Sequence, residues 1–177
     1  MVPDRLKIGK VVPVFKKGDR SLPTNYRPIC LLSIFDILLE KLMYKRLYDF
    51  LIMNYILYEY QFGFRKNHST ILALIDVIDD IYYSLDHNET VVGIYLDLQK
   101  TVDCVNHDIL LYKMYNYGVR DVAYKWFANY LTDRKQYTCM KDASSTLSNV
   151  NCGSVLGPLL FLVYVNDIAS AVPDSKL

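Results

Sequence analysis

The sequence lacks a strong excess of charge of either sign. Its 177 residues contain 20 Lys and Arg against 19 Asp and Glu, which leaves a formal net charge of +1. A chain of this balance carries no strong overall field toward nucleic acid, so any binding to a phosphate backbone must come from local patches of cations. Because 52% of the residues are hydrophobic and 22% are charged, the chain can bury a core and is not disordered by composition.

Cysteine pairs of the C-x-x-C type are also absent. The 4 cysteines are scattered, at positions 30, 104, 139 and 152, a pattern that argues against a zinc site and fits free thiols in a reducing compartment. The N-terminus has no apolar signal segment, and no apolar run approaches the roughly 20 residues that a membrane-spanning helix needs. We therefore expect an intracellular protein, in the nucleus or the cytoplasm, without a membrane partner.

The most informative stretch is 91–107, VVGIYLDLQKTVDCVNH. An apolar run of about six residues that ends in a carboxylate, here Asp97, is typical of a buried strand leaving the core. A carboxylate in that position loses hydration at a cost of several kcal/mol unless water, a donor or a cation compensates. Asp103 and Asp108 follow closely. The spacing alone leaves open both a divalent-metal site and the commoner solvated turn or helix cap.

Near the N-terminus, Lys16 and Lys17 follow a short apolar run, 11–15, that contains a proline. This pattern predicts an edge strand followed by a turn. The two lysines suit a phosphate-contacting patch, or else a solvated edge that resists aggregation. Pro28 restricts the backbone of Arg27 to extended geometry, which places its guanidinium at the start of a strand. There it can contact a phosphate bidentately or form a structural salt bridge.

Further along, aromatic residues and helical periodicity dominate. The stretch 55–65 interleaves aromatics with cations, which suits stacking on bases, although packing in a core is the commoner use of such rings. Helical spacing predicts helices over about 34–52, 70–85, 108–117, 122–131 and 157–169. Strand and turn signals predict a strand pair over 135–140 and 146–152. The residues predicted to face the core are Ile34, Leu38, Leu42 and Leu47 in the first helix and Leu74, Ile75, Ile78, Ile81, Tyr82 and Leu85 in the second.

Several of these blocks resemble the reverse transcriptases of non-LTR (LINE-type, jockey-like) retrotransposons. The first palm motif of that family reads roughly L-D-L-S-K-A-F-D-x-V-N-H, and the present chain has LDLQKTVDCVNH at 96–107. Other blocks follow in the family's order: FKKGD at 15–19, NYRPI at 25–29, QFGFR at 61–65, LGPLLF at 156–161 and ND at 166–167. Any one of these motifs is weak, but their common order across nearly the whole chain is specific.

The resemblance implies an α+β fold, the fingers plus an incomplete palm of a right-hand polymerase, with mixed helices and a small antiparallel sheet. It implies a fingers-like region at 1–90 and a partial palm at 91–177. The family reaction is RNA-directed DNA synthesis from deoxynucleoside triphosphates on an RNA template and a DNA primer, with two Mg²⁺ ions. The implied site residues are Asp97 as catalytic carboxylate and metal ligand, the carbonyl of Leu98 as a further ligand, Arg27, Arg65 and Val102 against the nucleotide, and Lys16, Lys17 and Arg65 against nucleic acid.

The chain departs from the family pattern in three places. The family's second catalytic block, Y-x-D-D, is absent from this sequence, which ends at Leu177. The family's C-G-V-P-Q-G-S-x-L-G-P is shortened to CGSVLGP at 152–158, and Val102 replaces an aromatic residue beside the nucleotide sugar. Because a single carboxylate binds Mg²⁺ weakly, we expect a reverse transcriptase fragment that is inactive alone. The alternative is a decayed retroelement remnant that binds only nucleic acid or protein.

Overall fold

The computed structural model describes residues 1–97, 105–140, 143–149 and 155–171. The helices in this part are α1 (Ile34–Met53), α2 (Thr70–Asp86), α3 (His107–Asn116), α4 (Asp121–Leu131) and α5 (Gly157–Val165). The strands are β1 (Ile8–Phe15), β2 (Tyr26–Leu31), β3 (Lys135–Met140), β4 (Ala143–Ser144) and β5 (Ser148–Asn149). Short 3-10 turns cover Asp4–Lys7, Pro23–Asn25 and Ile168–Ala171. Helices combined with a small sheet make an α+β fold, which confirms the predicted class.

Polar side chains define where three of the helices begin. Ser33 and Ser69 each accept the backbone N–H of the residue three positions later, at 3.1 and 3.2 Å. Asn106 accepts two N–H groups in the first turn of α3. These are N-cap interactions. Ser33 and Ser69 match the predicted helix starts, whereas α3 begins at His107, one residue before the predicted start. None of the helices in the described ranges combines the length and the apolar character that crossing a membrane requires.

The sheet joins the N-terminal hairpin to a strand from the second half of the chain. Its strand order is β2-β1-β3-β4, and β5 also pairs with β3. β1 and β2 are antiparallel, whereas β1 and β3 run parallel, with Ile8 opposite Lys135. The predicted antiparallel sheet is therefore wrong for the β1–β3 pair. Parallel strands need a long crossover connection, and here the chain from β2 to α4 supplies it.

The prediction that β1 is an edge strand is also wrong, because β2 and β3 flank it. Pro13 prompted that prediction. It lies beyond Val11, the last β1 residue paired with β3, and faces Pro28 of β2. Proline has no N–H to donate, so it is tolerated where β1 has a neighbour on one side only.

The hydrophobic core lies among α1, α3, α4 and α5. Fully buried side chains come from each of these helices: Leu51 in α1, Met114 in α3, Phe127 in α4, and Leu159 and Leu162 in α5. Burying one such side chain stabilises the fold by about 1.5–3 kcal/mol. The sequence of α5, GPLLFLVYV, is apolar on all sides, which is typical of a helix surrounded by other elements.

Helix α1 buries a different face from the predicted one. Ile34, Leu38 and Leu42 are 82%, 57% and 55% exposed, and only Leu47 of the predicted stripe is buried. The buried residues of α1 are Asp36, Glu40, Leu47, Tyr48 and Leu51. They recur at helical spacing, but two of them are carboxylates that are buried against polar partners. Hydrophobicity alone therefore selected the wrong side of this helix.

Two apolar segments that were expected in the core are exposed. Helix α2 has no buried residue, so the inward stripe predicted for it is wrong. The segment 91–97, predicted as a buried strand, pairs with no strand in the described ranges, and all of its residues are exposed. An apolar stripe or strand is buried only where another element covers it. Within the described residues, no element covers either segment.

The segment after β3 and two of the cysteines differ in part from the predictions. The predicted second strand, 146–152, is limited to the short β5 in the described part, and 150–152 lie outside it. Cys139 is a free thiol, as expected. Cys30 is disulfide-bonded, so the expectation of free thiols is wrong there, since spacing along the chain does not report which sulfurs are neighbours in space.

Candidate nucleic-acid interface

The loop between β1 and β2 is held by its own hydrogen bonds. The N–H of Lys16 donates to the carbonyl of Asn25 at 2.9 Å and closes the loop. Within it, Asn25 Nδ2 donates to the carbonyl of Asp19 at 2.8 Å, and the N–H of Ser21 donates to Asp19 Oδ1 at 2.8 Å. This second bond lowers the pKa of Asp19. The loop therefore has a defined shape on which its side chains are displayed.

Gly18 is required by this loop geometry. Its φ is +92°, in the left-handed region that side chains rarely adopt. A Cβ atom at this position would lie 2.7 Å from Asn25 Nδ2. The Lys-Lys-Gly-Asp turn predicted from the sequence is therefore confirmed, and the glycine allows the close approach of Asn25.

Three predicted site residues lie on this hairpin. Lys16 and Lys17 are exposed in the loop, and Arg27 is exposed on β2 opposite Val14. None of the three forms an ion pair with the described part of the chain. A fourth cation, Arg20, lies 5.1 Å from the centroid of the Phe15 ring. The hairpin thus concentrates cations that are available to a phosphate backbone, while the whole chain is nearly neutral.

Arg65 is partly engaged within the protein. Its Nη1 donates to the carbonyls of Tyr58, Glu59 and Gln61 at 2.9, 3.1 and 3.3 Å. The loop after α1 therefore wraps around this guanidinium, which is half-buried. The structure gives Arg65 a role in shaping the loop, and the nucleotide and nucleic-acid contacts assigned to it remain predictions.

The same loop exposes two aromatic rings. Tyr55 and Phe64 are 94% and 62% exposed, and both have left-handed backbone φ values, +52° and +58°. Such strain in residues other than glycine persists only where surrounding structure enforces it. Lys66 is anchored nearby, since its N–H donates to Tyr48 Oη at 2.9 Å. Exposed aromatic rings can stack on unpaired bases.

Asp97 is exposed at the end of the 91–97 segment. It forms no ion pair among the described residues, and no cluster of three or more His, Cys, Asp or Glu side chains in those ranges could hold a metal ion. Leu98 and Val102, the other predicted ligand and the predicted sugar contact, lie outside the described residues. The hairpin cations, Arg65 and Asp97 lie on separate elements, and no described hydrogen bond joins them.

The ND motif at 166–167 ties three elements together. Asn166 Oδ1 accepts the N–H of Tyr58 at 2.8 Å, and its Nδ2 donates to the carbonyl of Ile56 at 2.7 Å. Asp167 forms an ion pair with Lys113 of α3. This motif therefore fixes the aromatic loop and α3 relative to the end of α5.

Sequence reasoning did not predict a buried polar cluster between α1 and α4. Glu40, fully buried, accepts the Tyr130 hydroxyl at 2.6 Å and the N–H of Val155 at 2.7 Å. Arg134 Nη2 lies 3.9 Å from Glu40 Oε1. Asp36 is buried beside them, and its desolvation raises its pKa to about 6, opposed by the Arg134 charge. The available signal was the four-residue spacing of Asp36 and Glu40 on the helix face that also carries Leu47.

His107 lies at the first turn of α3, close to this cluster. Burial lowers the pKa of His107, partly offset by a hydrogen bond to the backbone of Leu131 and by the charge of Asp108. The imidazole is therefore biased toward its neutral form. The positive charge of Arg134 also lowers the pKa of His107.

The sequence matches the reverse transcriptase (RNA-dependent DNA polymerase) family over residues 14–176, and the chain belongs to this family. It is 33% identical over 177 residues to the probable RNA-directed DNA polymerase from transposon BS of Drosophila melanogaster, covering 94% of this chain and 19% of that protein. It is 32% identical to the probable RNA-directed DNA polymerase from transposon X-element of the same species, covering 99% of this chain and 20% of that protein. The RNA-directed DNA polymerase from mobile element jockey, also of this species, is 29% identical over 99% of this chain and 20% of its own length.

The chain thus spans about a fifth of the length of the curated relatives it matches. The resemblance to reverse transcriptases of jockey-like elements, drawn from the motifs, is confirmed by these matches.

Proposed function

We propose that this chain forms the fingers (1–90) and part of the palm (91–177) of a reverse transcriptase, and that it binds nucleic acid without polymerising deoxynucleotides by itself. In the complete enzyme its substrates are an RNA template, a DNA primer and deoxynucleoside triphosphates. The observation that carries the proposal is the β1–β2 hairpin, where Lys16, Lys17 and Arg27 are exposed without ion-pair partners among the described residues.

Counterion release explains why this hairpin suits nucleic acid. Cations that neutralise phosphates release the condensed ions around the backbone, so affinity depends steeply on salt. Lys16 and Lys17 are adjacent, and Arg27 is displayed from a paired strand that limits its backbone freedom. Its planar guanidinium suits bidentate phosphate contact. The exposed rings of Tyr55 and Phe64 supply surfaces on which bases can stack.

Of the two predicted metal ligands, only Asp97 is among the described residues. Two Mg²⁺ ions need several oxygen ligands in near-octahedral arrangement, and the described ranges contain no acidic cluster of the required size. Asp97, exposed and alone among these residues, does not make such a site. We therefore assign Asp97 the role of catalytic carboxylate only within a complete polymerase, and no reaction step to this chain alone.

Fluorescence anisotropy with a labelled single-stranded RNA tests the binding. We expect the logarithm of the affinity to fall linearly with the logarithm of the salt concentration. Replacing Lys16, Lys17 and Arg27 together by Ala should flatten the slope by about 0.7 to 0.9 per lost phosphate contact. The matched control replaces three exposed cations elsewhere, Lys41, Lys45 and Lys125. An equal change in slope for both variants would refute the hairpin assignment.

A primer-extension assay tests the lack of activity. With a primed RNA template, deoxynucleotides and Mg²⁺, the chain should incorporate no more nucleotide than its Asp97→Ala variant. Incorporation above that variant would overturn this part of the proposal.

The exposed apolar face of α2 favours a second candidate, a remnant that binds protein rather than nucleic acid. Ile71, Leu74 and Tyr82 are 68%, 58% and 64% exposed, and apolar patches of this kind mark interaction surfaces. The same anisotropy experiment separates the candidates, because a purely protein-binding fold shows no salt-dependent affinity for RNA.

A further inference from the structure

A pocket opens between the C-terminal half of α1 and the first turns of α4, and no residue of the β1–β2 hairpin lines it. Its volume is about 410 Å³, within the range of roughly 300–1,000 Å³ in which small-molecule sites fall. Phe50 of α1 and Trp126 and Phe127 of α4 are among its lining residues, and the turn between α3 and α4 lines it as well. The pocket is therefore mainly aromatic and aliphatic.

The backbone of this turn is shaped to form the pocket. Gly118 has a φ of +97°, and Asp121, which is not a glycine, has a φ of +52°. A Cβ atom on Gly118 would lie 3.4 Å from Cζ of Phe50. The missing side chain therefore lets the Phe50 ring lie against the turn. Left-handed residues of this kind cluster at ligand sites.

The charges on the pocket all have the same sign. Arg46 and Arg120 are lining residues, and no carboxylate among the described residues lines it. Arg120 is held in place, because its Cζ lies 3.5 Å from the centroid of the Tyr115 ring and its Nη1 donates to the carbonyl of Val119 at 3.2 Å. Arg46 is exposed and has no ion-pair partner in the described ranges. The pocket therefore combines apolar walls with two arginine residues in its lining.

The start of α4 also borders the pocket. Val122 and Ala123, in the first turn of α4, line the pocket. Arg120, the N-cap residue, makes no side-chain capping hydrogen bond, and Asp121 in the first turn offsets the positive end of the helix dipole. The positive charge at the pocket therefore comes from the two guanidinium groups.

We infer that this pocket binds a small amphipathic anion. The flat apolar body lies between Phe50 and Trp126, and the acidic group lies at the guanidiniums of Arg46 and Arg120. Apolar walls with a few convergent polar groups are the usual composition of a small-molecule site, and the absence of a lining carboxylate selects an anion over a cation. The inference does not depend on nucleic-acid binding, since none of the hairpin cations lines the pocket.

Trp126 reports directly on this site, because it is the only tryptophan of the chain. We would titrate the full chain with naphthalene-2-carboxylate and with its neutral isostere, 2-naphthamide, and follow tryptophan fluorescence. The carboxylate should quench the emission saturably and bind more tightly than the amide. Arg46→Gln and Arg120→Gln should each weaken carboxylate binding by up to about fivefold, the upper end for an exposed ion pair, and leave amide binding unchanged. Lys125→Gln, an exposed position of α4 that does not line the pocket, should change neither.

Two further variants test whether the probes bind in this pocket. Ala123→Phe fills the pocket and should abolish binding of both probes. Val122→Glu changes a residue that is 82% exposed, so the fold should tolerate the substitution. This variant should lower the affinity for the carboxylate and leave the affinity for the amide unchanged. Thermal unfolding checks that each variant is folded. Equal affinity for carboxylate and amide, unchanged affinity in both arginine variants, or retained binding in a folded Ala123→Phe would overturn the inference.

Discussion

Replacing Glu40 tests what holds the buried face of α1. This carboxylate is fully buried and accepts hydrogen bonds from the Tyr130 hydroxyl at 2.6 Å and from the N–H of Val155 at 2.7 Å. It therefore joins α1 to α4 and to the residues just before α5. Arg134, 5% exposed, has its Nη2 3.9 Å from Glu40 Oε1, beyond hydrogen-bonding distance.

The expected losses differ between variants because each removes a different part of the cluster. Glu40→Ala removes the acceptor of two hydrogen bonds, each worth about 1.5–3 kcal/mol to a charged group, so we expect a loss of about 3 kcal/mol or more. Asp36 remains beside Arg134, so the variant removes one of the two negative charges that face this guanidinium. Neither Nη1 nor Nη2 of Arg134 has a hydrogen-bond partner among the described residues, so no neutral acceptor replaces that charge. Tyr130→Phe removes one hydrogen bond to a charged acceptor, at a cost of about 1.5–3 kcal/mol.

Urea unfolding at neutral pH measures both losses. Lys41→Ala is the matched control, since Lys41 is the exposed neighbour of Glu40 on the same helix and should change stability by no more than about 0.5 kcal/mol. A double-mutant cycle of Glu40→Gln with Tyr130→Phe should give a coupling energy of at least about 0.5 kcal/mol, as expected of residues in contact. A loss below about 1 kcal/mol for Glu40→Ala would refute the reasoning, because it would mean that the two hydrogen bonds to the buried carboxylate add almost nothing to stability.

Three further predictions follow from the burial and backbone geometry. Because burial raises the pKa of Asp36 from 3.8 to about 6, the folded chain keeps a proton that the unfolded chain releases. The contribution of Asp36 to stability is therefore fully present below pH 3.8 and is lost as the pH rises through about 6. Asp36→Asn should abolish that part of the pH dependence of urea unfolding, and an unchanged profile would contradict it. Gly118→Ala should destabilise the fold by about 1–2 kcal/mol in the same assay, because its φ is +97°, whereas Gly118→Asn should cost less. An apolar fluorescent dye should bind α2, and Ile71→Glu with Leu74→Glu should reduce its signal relative to a control Asp79→Asn; equal signals would refute this assignment of the exposed patch.

Local signals made parts of this fold predictable from the sequence. Ser33 and Ser69 begin their helices because a short hydroxyl side chain can accept an N–H of the first turn. Gly118 follows α3 because its left-handed backbone suits a glycine. The extended backbone of Arg27 in β2 also follows from local chemistry, since the residue before a proline has little choice of backbone. Each of these interactions spans only a few residues.

Long-range contacts were decided only by the tertiary structure. The parallel pairing of β1 with β3 joins residues about 127 positions apart, such as Ile8 and Lys135, and no local pattern encodes such a partner. Glu40 is buried while Leu38 is exposed, because Tyr130 and Arg134 lie against one side of α1 and nothing in the described ranges covers the other. The apolar segments and the family to which the chain belongs can be read from the sequence alone. A residue is buried only where another part of the chain packs against it. No described residue packs over Asp97 and the apolar segment 91–97, which are therefore exposed.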